Sequence, residues 1–140
     1  MGVNNQSLMT DAEIHNFGVE IICTQLEKDG WAIEWADGLA DILTQPQIIA
    51  EKNGELAFFI VRTAVYPSRG RFEEGQGVFE TLVRHAAEHK ASCFFASVGI
   101  ANSEGSTENE MSLAKKGVRF NVEFDGLVKM ELPSTGASVM

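Results

Sequence analysis

Apolar residues recur at Ile14, Phe17, Ile21, Ile22 and Leu26, the period of a helix with one buried face. Thr10-Asp11-Ala12-Glu13 stands ahead of them with the spacing of a capping box, and Gly30 follows as a stop. Together these predict a helix over residues 11–29. Trp31, Ile33 and Trp35 then alternate with Ala32 and Glu34, the two-residue period of a half-buried strand over 31–36. A loop ending in Pro46 leads to a short strand, Gln47-Ile48-Ile49-Ala50, and the pair Asn53-Gly54 marks a tight turn because both of its central residues need positive φ. The run Leu56-Ala57-Phe58-Phe59-Ile60-Val61-Arg62-Thr63 is apolar on both faces, so it belongs in the middle of a sheet covered on each side.

After a break at Tyr66-Pro67-Ser68-Arg69-Gly70, a helical period resumes over 72–89 through Phe79, Leu82, Val83 and Ala86, followed by a second apolar strand over 92–100. A strand, helix and strand at this spacing make a right-handed parallel crossover. Residues 102–117 are rich in Ser, Glu, Asn and Gly and read as a loop with at most one helical turn. Val118–Phe124 and Leu127–Leu132 alternate around Asp125-Gly126, which predicts a C-terminal β-hairpin. The expected order is αβββαβ, an α/β sandwich with a central mixed sheet flanked by helices. One domain spans 11–132, between a flexible N-terminus over 1–10 and a tail over 133–140.

The strand-turn-strand core resembles that of the PD-(D/E)xK superfamily of restriction-endonuclease-like nucleases. With the helix closing in Leu26-Glu27-Lys28-Asp29-Gly30-Trp31 and the late Arg119-Phe120-Asn121-Val122, the chain is similar to the small bacterial YraN-type, Holliday-junction-resolvase-like branch. That resemblance implies two carboxylates and a lysine that hold Mg²⁺ beside a scissile phosphate. Laid over this chain, the first acid falls on Gln47, the second on Ile60 and the lysine on Arg62. Mg²⁺ takes oxygen ligands, of which isoleucine offers none. Without a held ion there is no metal-assisted activation of water, so the chemistry the resemblance implies is lost and no cofactor is expected.

Three acids near the core, Glu20, Asp41 and Glu51, could supply rearranged Mg²⁺ ligands, although exposed carboxylates are the commoner explanation of each. Arg62 keeps a permanent charge able to grip an anion, or to pair with Glu20 or Asp41 if it is buried. Arg62, Arg69 and Arg71 are the candidates for binding an anion or a partner. His85-Ala86-Ala87-Glu88-His89 matches an HxxEH pattern, with two histidines on one helical face. The match is short, and a solvated helix explains it more simply. The aromatic residues Trp31, Trp35, Phe58, Phe59, Phe94 and Phe95 fall in strand patterns and are expected in the core.

With 140 residues, 44% of them apolar and 22% charged, the chain has the composition of an ordinary globular domain with no membrane-spanning run. Its N-terminus lacks the charged and apolar regions of a signal peptide, and Gln6 misses the myristoylation pattern, so a cytoplasmic location is expected. Cys23 and Cys93 have no metal-ligand spacing and read as small buried residues. A net charge of −9 disfavours a polyanionic partner, because such binding draws on lysines and arginines that displace counterions. The expected function is therefore a catalytically degenerate nuclease-fold module that binds an unknown protein or a second copy of itself. A metal-dependent nuclease with rearranged ligands, or a non-cleaving nucleic-acid binder, are the alternatives.

Overall fold

The computed structural model describes residues 7–39 and 41–132. Helix α1 (Asp11–Lys28) starts in the expected capping box: the Thr10 hydroxyl accepts from the Glu13 amide at 3.1 Å, and the Thr10 amide donates to the Glu13 carboxylate at 2.8 Å. Three strands follow, β1 (Ala32–Ala36), β2 (Ile48–Lys52) and β3 (Glu55–Val65). The crossover helix α2 (Gln76–Glu88), strand β4 (Ser92–Asn102), the single turn α3 (Glu108–Met111) and strand β5 (Phe120–Lys129) complete the order. The five strands form one open sheet in chain order, antiparallel throughout except for the parallel pair β3 and β4. The chain is thus α/β, with a mixed sheet and a principal helix on each face. The Asn53-Gly54 turn closes β2 onto β3 with φ of 55° and 82°, as that dipeptide predicts.

Alternation along the central strand splits the core in two. Ala57, Phe59 and Val61 face α1 and pack with Val19, Ile22 and Leu26, while Phe58 and Ile60 face α2 and pack with Leu82 and Ala86. On the α1 side Phe59 lies between Trp31, edge-on at 5.1 Å, and Phe94, stacked at 5.6 Å. The helix comes close because Gly18 carries no side chain: a Cβ there would lie 1.6 Å from Thr63 Oγ1. No helix is long and apolar enough to cross a membrane among the described residues.

Several expectations are corrected. The Asp125-Gly126 signal belongs to a bulge, not to a C-terminal hairpin. The ladder pairs Ala96 with Leu127 and Val98 with Phe124, leaving Asp125 and Gly126 opposite Ser97 on one continuous strand. Gly126 takes a φ of 107° there, so the same dipeptide serves a different use of positive φ. Helix α2 starts at Gln76 and not at Phe72, since Gly75 with φ 98° precedes it and Phe72 reaches the core from the loop before the helix. Trp35, expected in the core, is 38% exposed. The N-terminal stretch is anchored at its end: Leu8 bridges Lys115, and Met9 donates to the Ala114 carbonyl at 2.7 Å. Residues 1–6 and the tail over 133–140 lie outside the described residues.

Candidate functional site

Strand β2 can extend no further towards its N-terminus, because Pro46 has no amide hydrogen to offer the ladder. The side chain of Gln47 takes over. Its Oε1 accepts the Val61 amide at 2.8 Å, as a backbone carbonyl would in a longer strand, while its Nε2 donates to the Gln45 carbonyl at 3.3 Å. Gln47 is fully buried. The same Oε1 also accepts Arg62 Nη1 at 3.2 Å, so two of the three positions on which the resemblance places catalytic groups come together near the end of β3.

Arg62 is 7% exposed, and a cation so deep must be paired. Its partner is Glu74, in the segment that leads into α2, and not Glu20 or Asp41. Nε and Nη2 reach Glu74 Oε1 at 3.2 and 3.0 Å. Nη1 donates to Gln47 and, at 2.9 Å, to the Val61 carbonyl, and Nη2 donates to the Ile42 carbonyl at 3.3 Å. A guanidinium has five N–H donors, and these five bonds engage all of them. Phe72 covers the group, with its ring centre 5.6 Å from Cζ. Arg62 is therefore a structural cation whose grip on an external anion would require releasing a partner already held. The third position, Ile60, is fully buried in the α2-side core.

The crossover loop closes over this cluster. Gly70 donates to the Val98 carbonyl at 3.1 Å and accepts from Ser97 Oγ at 2.6 Å, and a Cβ on it would lie 1.8 Å from the Arg62 carbonyl oxygen. Beside it opens a polar cavity of about 480 Å³, lined by Arg62, Arg69, Arg71, Ser68, Glu73 and Glu74 among others. The three candidate arginines are thus brought to one place, in different states. Arg69 is ion-paired with Glu123 and Asp125 on β5, pairs that contribute little when exposed. Arg71 is exposed and makes no ion pair among the described residues.

The alternative acids do not gather there. Glu20 accepts from Asn16 Nδ2 at 3.2 Å and lines a separate cavity with Cys23, Thr24 and Ala36. Asp41 caps the Leu43 amide at 2.9 Å, and Glu51 is exposed on β2 opposite Ala32 and Leu56. Among the described residues no three His, Cys, Asp or Glu side chains converge as metal ligands would. Both cysteines are free, and burial pushes the Cys93 thiol up to about 12.

A histidine that sequence reasoning passed over stands next to the cluster. Burial of His15 on α1 holds its pKa below the ordinary imidazole value, the Arg62 charge acts in the same direction, and Glu74 opposes. Its Nε2 is buried without a hydrogen-bond partner. No sequence signal marks it, since its position on a helix carries no information about a charge on a distant strand.

Removing Glu74 strands a buried cation, so Glu74→Ala should lower unfolding stability by about 3 kcal/mol, with a double Arg62→Met, Glu74→Leu variant recovering much of that loss. Denaturant titration reads both, and an Ala variant as stable as the parent would show that the pair does not hold Arg62. For His15 the folded pKa is depressed, so its contribution is complete above the unfolded value near 6.5 and is lost as pH falls through the folded one. Compared with the parent, His15→Gln should therefore lose less stability on acidification below about pH 6.5, measured by thermal melts across that range.

No curated protein and no solved structure matches the chain. A family model described as a domain of unknown function, DUF8840, matches residues 12–130, which take in both helical faces and all five strands. The chain belongs to the DUF8840 family.

Proposed function

We propose that this chain is a restriction-endonuclease-like domain of the PD-(D/E)xK kind, resembling the YraN-type branch, that has given up metal-dependent cleavage and acts by binding a protein or a second copy of itself. The αβββαβ order of the first six elements and the helix on each face of a mixed sheet support the fold part of this reading. The observation that carries the functional part is the commitment of Arg62. Where the resemblance puts a lysine beside a hydrated Mg²⁺, a guanidinium is locked by Glu74, Gln47 and two carbonyls, and Ile60 fills the place of the second acid.

The surface this reading assigns to binding is on β1 and the loop whose Ile42 carbonyl meets Arg62. Leu39, Ile42 and Leu43 are exposed by 78%, 37% and 49%, and with Trp35 they put four large apolar side chains on β1 and the loop after it. Such a concentration marks an interaction surface more than isolated exposed residues do. Strand addition is the less favourable route, because both edge strands are bulged, β1 between Ile33 and Trp35 and β5 at Asp125-Gly126. A second reading, nucleic-acid binding without cleavage, is favoured by the cavity that Arg71 lines together with Arg62 and Arg69. The net charge of −9 and the pairing of the other two arginines weigh against it.

Mass in solution at high micromolar concentration is expected to show a dimer that Leu39→Ser with Leu43→Ser converts to a monomer; a monomeric parent removes the self-association part. Branched, single-stranded and duplex DNA incubated with Mg²⁺ or Mn²⁺ should remain intact. Cleavage abolished by Glu20→Ala would instead establish a nuclease with rearranged ligands, and DNA affinity falling steeply with salt would favour the second reading.

A further inference from the structure

Helix α2 covers β3 and β4 but leaves the same face of β1 and β2 open. Between its C-terminal half and those strands runs a groove of about 510 Å³, with Trp35, Ile49, Leu56 and Phe58 along it and His85 and His89 on the helix side. The two histidines are four residues apart, His85 in the last turn of α2 and His89 as its C-cap, and their ring centres lie 4.9 Å apart. Two imidazoles that share one tetrahedral ion at about 2.1 Å have ring centres roughly 5 Å apart.

Their hydrogen bonds fix which nitrogen is free. His85 Nδ1 lies 3.1 Å from the Thr44 carbonyl oxygen, and His89 Nδ1 lies 3.0 Å from the His85 carbonyl oxygen. A carbonyl only accepts, so each Nδ1 carries the hydrogen and each neutral ring keeps its lone pair on Nε2. This is the arrangement that metal-binding histidines depend on, with the remote N–H held by a carbonyl that orients the ring and raises its basicity. Phe58 packs against both rings, at 5.3 and 5.5 Å, and limits their rotation. Glu34 lines the same groove as an exposed carboxylate with no ion pair or hydrogen bond among the described residues, which adds negative potential for a cation.

We propose that His85 and His89 form a two-nitrogen clip for a divalent cation of the zinc class, on the groove between α2 and strands β1 and β2. Imidazole nitrogens select borderline ions such as zinc, nickel and copper over magnesium and calcium. Two protein ligands leave the remaining coordination positions to water, so the ion is exchangeable. The site is separate from the Arg62 cluster and stands whether or not the nuclease-fold reading does.

Tag-free protein titrated with zinc chloride, followed by the imidazole ¹⁵N resonances, tests it. The Nε2 signals of His85 and His89 should shift together with a midpoint on the order of tens of micromolar, and those of His15 should not. His89→Gln, at an exposed position, and His85→Gln should each weaken binding by about tenfold or more, while Cys23→Ser leaves it unchanged. Affinity should also fall as pH is lowered, since protons compete for the lone pairs. No shift at about 1 mM zinc, or a shift of one of the two histidines without the other, overturns the proposal.

Discussion

A guanidinium carried to the inner end of a central strand must have its donors met, and much of the polar architecture around it follows from that requirement. The partners of Arg62 come from three places: Gln47 where β2 begins, the loop before it through the Ile42 carbonyl, and Glu74 in the segment that leads into α2. The first two lie 15 and 20 residues before Arg62 and the third 12 after it, and all are drawn together at one point. The cluster thereby positions the crossover relative to the sheet, with Gly70 against the Arg62 backbone and Phe72 over the charge. An ion pair of this kind contributes little net stability over an apolar filling, but breaking one side of it is costly, so its effect is to specify the arrangement.

Chemically, the same constraint takes Arg62 out of circulation. A side chain whose donors are all engaged cannot also serve a phosphate without exposing Glu74 or Gln47 to an unmet demand. Ile60 is likewise spent on the α2-side core, where it packs with Leu82 and Ala86. The two faces of β3 thus divide the available surface. The α1 face is closed by Gly18 against Thr63 and by the aromatic stack on Phe59, whereas the α2 face is closed only over β3 and β4. The open half of that face holds Trp35 and the two histidines, and the exposed leucines of the adjoining loop are its neighbours in the chain. Exposed apolar surface is therefore left over β1 and the loop after it, the same loop that gives its Ile42 carbonyl to Arg62.

Local signals in the amino-acid order were sufficient for most elements. The capping box at Thr10, the turn at Asn53-Gly54 and the double-sided apolar run of β3 each act through neighbouring residues, and each formed as its pattern implies. Signals that admit two uses of the same backbone conformation failed. Asp125-Gly126 offers positive φ to a hairpin or to a bulge, and only the presence of β4 alongside decides for the bulge. Phe72 fits a helical period, yet the positive φ of Gly75 separates it from the helix. At the candidate site, Gln47, Ile60 and Arg62 were legible as the positions where the resemblance expects two acids and a lysine, while the identity of the partner of Arg62 was not.

What the sequence determined by itself was the run of elements from α1 to β4 and their order, because helix period, strand alternation and turn chemistry depend on residues a few positions apart. Tertiary structure alone decided that Glu74 and Gln47 hold Arg62, that His15 lies beside that charge, and that His85 and His89 keep their lone pairs free over a groove. The reason is physical. Charge pairing, burial and tautomer choice are set by which groups meet across the fold, and residues distant in the chain meet here, 41 positions apart at His85 and Thr44 and 56 apart at Arg69 and Asp125.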